Sequence, residues 1–225
     1  GWVAAGGVVV ALQFLGGHME MSFYALFLLL AYFLFRLGTV MWRHWWRAAL
    51  YLCCTAGLMV GIGMLLAGVQ IVPFYELIKQ NFRSGDITLA DAVSFALPKL
   101  QLLAFVLPDV FGNPTHHSYF DLFRLATVPV EGSTDLAGAA RSYPFWGVKN
   151  YVEGTAYVGL LPLVLAATAL VARRDRAVAF FAGYGAFSLL LAFGTPLYAL
   201  FFFGIPGMEQ LHTPFRWVLP WSLCT

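Results

Sequence analysis

From Ala48 to Ile71 the chain runs without one charged side chain, and this run limits its fold more than any other feature. It exceeds the roughly 20 apolar residues that a helix needs to cross a bilayer. Such a run belongs either in a very large core or in lipid. Composition decides between them: 60% of the residues are hydrophobic and 11% charged, with a mean hydropathy of +0.77, against about 25% charged in a soluble domain. So few charges cannot cover a soluble surface, and the chain reads as an integral membrane protein. A net charge of +2, with basic residues scattered at loop positions, is too small to suggest a nucleic-acid partner, and none is expected.

Further apolar segments lie at Trp2–Leu15, Met21–Phe35, Ala156–Val171 and Val178–Phe193, and another begins at Phe215. Together they predict an all-α polytopic membrane protein with about six transmembrane helices. Residues 1–78 hold three of them, residues 79–152 form a large extracytoplasmic loop with short interfacial helices, and residues 153–225 hold the other three. The chain starts at Gly1 and stops at Thr225 inside an apolar run, so it reads as an interior piece of a longer protein, its first and last spans truncated. Leu197–Phe203 is too short to cross and should lie along the interface. Gly57, Gly61 and Gly68 are positions where a neighbouring helix can approach closely. Cys53, Cys54 and Cys224 lie in apolar runs and read as free thiols, with neither a disulfide framework nor a CxxC metal signature.

Charge assigns the sides. Arg36, Arg43 and Arg47, interleaved with Trp42, Trp45 and Trp46, form one short cationic connection, and Arg173, Arg174 and Arg176 form another. The corners at 16–21 and 194–214 contain no lysine or arginine. The positive-inside rule puts the arginines in the cytoplasm and both corners, with the loop at 79–152, on the outer side of the membrane. Leu89–Leu107 is apolar enough to tempt a seventh span. Asp91 and Lys99 would each cost about 2.5–3.5 kcal/mol near a helix centre, Pro98 interrupts it, and a crossing would turn the second arginine cluster outward. It is expected to be an interfacial amphipathic helix instead.

The most polar run is Leu107–Arg124, LPDVFGNPTHHSYFDLFR. With the outer corners it gathers the chemically versatile residues at one face. Glu76 and Glu20 are the candidate general bases, and His18, His212 and Arg216 the candidate phosphate contacts. Asp109, His116, His117 and Asp121 would form the wall of a site. Each has an ordinary reading beside the chemical one: a polar hairpin corner for His18 and Glu20, a helix-end anchor for Glu76, an Asx turn or cap for Asp109, snorkelling for Arg216. His117 and Asp121 share a face if the segment is helical, which suits a divalent metal, against loop hydrogen bonding. No other cofactor is indicated.

Several strings together resemble the bacterial membrane protein YfhO family. They are LQFLGGHMEMSFYALFLLLAYFLFRL, VQIVPFYELIKQNFRSG, LPDVFGNPTHHSYFD, NYVEGTAYVGLLPLVLA and LLLAFGTPLYALFFFGIPGMEQLHTPFRW, in that order along most of the chain. The family is similar to lipid-carrier-dependent glycosyltransferases of the GT-C type. The resemblance implies transfer of a sugar from a polyprenyl-phosphate donor to an envelope polymer such as lipoteichoic acid, on the outer face. It also implies a catalytic acid in the first outer loop, upstream of Gly1, leaving donor-lipid and acceptor contacts to His18, Glu20, Glu76, His212 and Arg216. A transporter or lipid flippase and a non-catalytic scaffold of envelope assembly are the rival readings. Transporters tend to carry ionisable groups or broken helices at mid-membrane, whereas the spans here contain essentially no charge and the candidate polar groups gather at one face.

Overall fold

The computed structural model describes residues 1–43, 46–79, 87–112, 118–129, 155–173, 175–205, 208 and 213–225. The chain divides into two compact units, Gly1–Asp86 and Ile87–Thr225.

In the first unit, α1 (Trp2–Leu15), α2 (Met19–Arg43), α3 (Trp46–Leu66) and α4 (Gly68–Lys79) follow one another. The α1–α3 crossing is its tightest contact, and glycine makes it possible. A Cβ on Gly63 would lie 2.6 Å from Val10 Cγ1 and 3.0 Å from the Gly7 carbonyl oxygen, and one on Gly7 would lie 3.1 Å from the Met59 carbonyl oxygen. The expected Gly57, Gly61 and Gly68 do not serve this contact, since nothing stands within 4 Å of a Cβ at any of them. Beside the crossing, Val10, Ala11 and Phe14 bury against Ala67, with Met19, Leu26 and Ile71 packed around them. Most other large side chains of these helices face outward, including Leu30, Leu34, Leu58 and Leu65. An apolar exterior of this kind is suited to lipid.

The run that ends at Ile71 in sequence is divided between two helices in the structure. α3 stops at Leu66, Ala67 turns, and α4 carries on through Pro73 to Lys79. Pro73, inside α4, leaves the Val69 carbonyl without its helical N–H, whereas at Ala67 the N–H still reaches the Gly63 carbonyl at 2.9 Å.

The second unit begins with α5 (Leu89–Ser94) and a 3₁₀ helix at Lys99–Phe105. The single amphipathic helix expected over Leu89–Leu107 is therefore two short ones, parted at the extended Pro98. A two-stranded hairpin follows, an element the all-α expectation did not contain. β1 (Ser118–Asp121) pairs antiparallel with β2 (Ala126–Pro129) in the register Ser118↔Pro129 to Asp121↔Ala126. The Phe111 carbonyl accepts from Phe120 N–H at 2.9 Å, and the buried Phe111 ring packs with Ala104, Val110, Tyr119 and Leu122.

Then come α6 (Leu160–Ala172), α7 (Arg176–Ala192), α8 (Pro196–Gly204), a 3₁₀ turn at Pro214–Trp217 and α9 (Val218–Cys224). α6 starts later than the apolar segment from Ala156, because residues 155–159 are not helical and Gly159 has φ 99°. Asp175 caps α7, accepting from Ala177 and Val178 N–H at 2.8 and 2.9 Å. α7 and α8 meet at 88° around Gly194, whose φ of 60° suits glycine. Leu97 N–H donates to the Ala192 carbonyl at 2.8 Å, and Ala96 and Val93 pack against Gly194, so the segment after α5 is fastened to this corner. The core of the unit is the fully buried Trp217, its indole edge-on to Phe187 and Phe201 at 6.0 and 6.1 Å. α9 crosses α7 closely at Gly185, next to Cys224 and Trp221.

The chain is mostly helical, and its apolar helices could associate with a membrane. Among the described residues, two helices are long and apolar enough to cross one, Met19–Trp42 and Trp46–Leu66, or three if the bent α7–α8 pair is one span. The 21 residues of α3 reach about 31 Å, matching a hydrocarbon layer of about 30 Å. The 14 of α1 and 13 of α6 reach about 20 Å. Of the six expected spans, those two are apolar but short.

Candidate functional site

The polar side chains nominated by sequence divide between the two units, and local structure holds each of them. His18 stands immediately before α2, and its Nδ1 accepts from Met21 N–H at 3.4 Å, as an N-cap residue does for a first-turn donor. Ser22, buried, directs its hydroxyl at both the His18 carbonyl, 3.2 Å away, and the Gln13 carbonyl, 3.1 Å away. The α1–α2 corner is thus tied across nine residues. Glu20 lies in the first turn of α2, where the helix dipole favours a carboxylate. Its Oε1 accepts from the hydroxyl of the fully buried Tyr24 at 2.8 Å. Glu76 is exposed on α4, three residues past Pro73.

In the second unit, the expected turn at Asp109 is present but closed by backbone: its carbonyl accepts from Gly112 N–H at 2.8 Å, and the residue is exposed. Asp121 ends β1 and organises the hairpin turn. Its Oδ1 accepts from Phe123 and Arg124 N–H at 2.8 and 3.1 Å, and its Oδ2 lies 3.7 Å from Arg124 Nε. The i,i+4 geometry expected of His117 and Asp121 required a helix, and residues 118–121 are a strand. His116, His117 and His212 lie outside the described residues, as does Arg174. No group of three or more His, Cys, Asp or Glu among the described residues is placed to hold a metal ion. Arg216 is half-buried in the 3₁₀ turn between buried Phe215 and Trp217, with Cζ 5.7 Å from the Phe215 ring centroid. Cation–π attraction and the packed stem hold the guanidinium at the edge of an aromatic core.

Two interactions escaped the reading of residue types. Tyr24 holds Glu20, and Thr88 forms a capping box with Asp91. In that box Thr88 N–H and Oγ1 donate to Asp91 Oδ2 at 3.1 and 2.6 Å, and Asp91 N–H donates back to Thr88 Oγ1 at 3.2 Å. These bonds favour the charged form and hold the Asp91 carboxyl below its ordinary value. Both pairs had a spacing signal: Glu20 and Tyr24 are i,i+4 on a helix, and Thr-x-x-Asp opens one.

The structure therefore joins Glu20 to Tyr24 and Asp121 to Arg124, each to a near neighbour in sequence. Glu76 and Asp109 are the candidate carboxylates left exposed. No family model, curated protein or solved structure matches the chain.

Proposed function

We propose that the chain is part of a YfhO-like membrane protein that binds a polyprenyl-phosphate-linked sugar and passes the sugar to a cell-envelope polymer. In this reading it crosses the bacterial cell membrane about six times, with residues 79–152 outside. The observation that carries the proposal is the placement of ionisable groups at helix ends. His18 and Glu20 flank the start of α2, Glu76 lies near the end of α4, and Arg216 lies in the 3₁₀ turn that leads into α9, while Met21–Phe35 and Ala48–Ile71 carry no charge. Attachment of Leu97 to the α7–α8 corner supports the side assignment, since both stretches fall outside by arginine count.

The chemistry is inverting transfer. The acceptor hydroxyl oxygen bonds to the anomeric carbon as the bond from that carbon to the phosphate oxygen breaks. The hydroxyl proton passes to a carboxylate, and polyprenyl phosphate leaves with its negative charge stabilised by a cation. Glu76, exposed, suits the proton acceptor or an acceptor-sugar contact better than Glu20, whose oxygen is engaged by Tyr24. Arg216, fixed against Phe215, suits the phosphate. The test is sugar transfer by the full-length protein in vesicles containing polyprenyl-phosphate sugar. Glu76→Gln and Arg216→Ala should each lower transfer by about 100-fold, the lower end for a lost acid–base group, with expression unchanged. Full transfer by both variants would refute the assignment.

One observation favours a second reading, a transporter or lipid flippase: the 88° break between α7 and α8. Discontinuous helices are a device of transporters. Movement of a labelled lipid between leaflets without sugar transfer would select it.

A further inference from the structure

The β1–β2 hairpin turns through residues 122–125, and the side chains of the turn separate by direction. Leu122 packs inward against the buried Phe111. Phe123 and Leu125 are 80% and 75% exposed, and Arg124 between them is exposed as well. Among the described non-glycine residues, Leu125 alone has a positive φ, 50°, a setting that glycine adopts without strain. Leucine there puts an apolar side chain at the tip against the preference of its own backbone.

The polar groups of the turn are served from within. Asp121 Oδ1 accepts from Phe123 and Arg124 N–H at 2.8 and 3.1 Å, and Asp121 Oδ2 lies 3.7 Å from Arg124 Nε. Donors paired in this way lower the cost of leaving water. The carboxylate and the guanidinium offset each other, and the guanidinium has five N–H donors, of which Nε supplies one. The tip therefore offers an apolar pair and the outer donors of an arginine.

The hairpin is also mounted on membrane-type helices. Phe111, against which it packs, touches Ala104 of the 3₁₀ helix at Lys99–Phe105. The next residue, Phe105, stacks on Trp221 of α9 at 4.4 Å, and Leu97 N–H donates to the Ala192 carbonyl at the end of α7. Residues 100–107 of this mounting carry no charge, and Leu102, Leu103, Val106 and Leu107 are exposed on it. An apolar, cationic, apolar tip carried at the ends of apolar helices matches a lipid–water interface, where side chains of both kinds find a partner.

We propose that the hairpin tip anchors the outer loop in the membrane. Phe123 and Leu125 enter the outer leaflet at the boundary of headgroups and acyl chains, and Arg124 donates to a phospholipid phosphate. The anchor goes beyond the proposed sugar transfer and needs only that the chain lies in a bilayer.

The test is spin labelling of the full-length protein in vesicles of phosphatidylethanolamine and phosphatidylglycerol. Its native cysteines, Cys53, Cys54 and Cys224 among them, are changed to serine. A nitroxide is placed in turn at Phe123→Cys, at Leu125→Cys and at Leu58→Cys, an exposed position of α3. Power saturation then compares oxygen, which concentrates in lipid, with a water-soluble nickel chelate. Oxygen should be the stronger relaxant at all three positions. Phe123→Asp should invert that order at position 125. Should aspartate unfold the turn, Phe123→Ser makes the same test more gently. Nickel chelate relaxing positions 123 and 125 as strongly as oxygen, beside a lipid signal at 58, puts the tip in water and overturns the anchor alone. Weak relaxation by both reagents puts it against protein and overturns the anchor equally. So does an order at position 125 indifferent to both substitutions. A water signal at 58 overturns the anchor together with the membrane reading it needs.

Discussion

Replacing Gly63 with alanine should loosen the first unit, whereas the same change at Gly57 should not. A Cβ at Gly63 would stand 2.6 Å from Val10 Cγ1 and 3.0 Å from the Gly7 carbonyl oxygen. The first neighbour is a β-branched side chain with essentially one rotamer in a helix, and the second is backbone. Neither yields without moving α1 against α3, and overpacking of this kind costs about 1–3 kcal/mol. At Gly57 a Cβ meets nothing within 4 Å. Both variants share the gain in helix propensity of alanine over glycine, about 1 kcal/mol, so their difference isolates the contact. Gly63→Ala should therefore be less stable than Gly57→Ala by about 1–3 kcal/mol, roughly 5- to 150-fold in the unfolding equilibrium. The assay is reversible unfolding in mixed micelles with increasing sodium dodecyl sulfate, followed by circular dichroism. Equal midpoints for the two variants would refute the crossing.

Two further outcomes follow from the local hydrogen bonds of Glu20 and Asp91. Tyr24→Phe removes the donor to Glu20 and should destabilise the α1–α2 corner by about 1–2 kcal/mol, read in the same unfolding assay; no change would mean that the bond is not made. The Asp91 carboxyl is held below its ordinary value by Thr88, so α5 is stabilised where that carboxylate is charged. This contribution is complete above the unfolded value of 3.8 and is lost as the pH falls through the lower folded value. The Thr88 amide signal in an NMR titration should move with a midpoint below 3.8, and Asp91→Asn should abolish the movement.

Helix positions were the legible part of this fold, because apolar runs bounded by Arg, Gly and Pro leave little choice. Trp2–Leu15 is a helix over the residues read, and the helix expected at Val178–Phe193 forms at Arg176–Ala192. Breaks inside apolar runs were not legible. The interruption at Ala67 falls inside an uncharged run with no proline nearer than Pro73, and residues 155–159 carry no charge to set them apart from the helix that follows. Glycine content announced a close helix contact, but helix phase chose the residue. Gly57 and Gly61 share a face, and Gly63, two residues on, lies about 200° around the axis, on the face toward α1. The hairpin escaped because its strands have four residues each, too short to display alternation in a polar loop. In the candidate site, residue types marked Glu20, Asp109 and Asp121 as polar outposts. Only geometry revealed that Glu20 is tied to Tyr24 and that Asp121 holds a turn.

The proposed function requires the polar loop and the arginines to lie on opposite sides of the membrane, and two exposed residues, Asp109 and Arg173, report those sides. Asp109→Cys and Arg173→Cys, each in a background with Cys53, Cys54 and Cys224 changed to serine, are to be labelled in intact cells with a thiol reagent that does not cross membranes. Position 109 should label from outside, and position 173 only after the cells are opened. Labelling of position 173 in intact cells, or of position 109 only after lysis, would contradict the account.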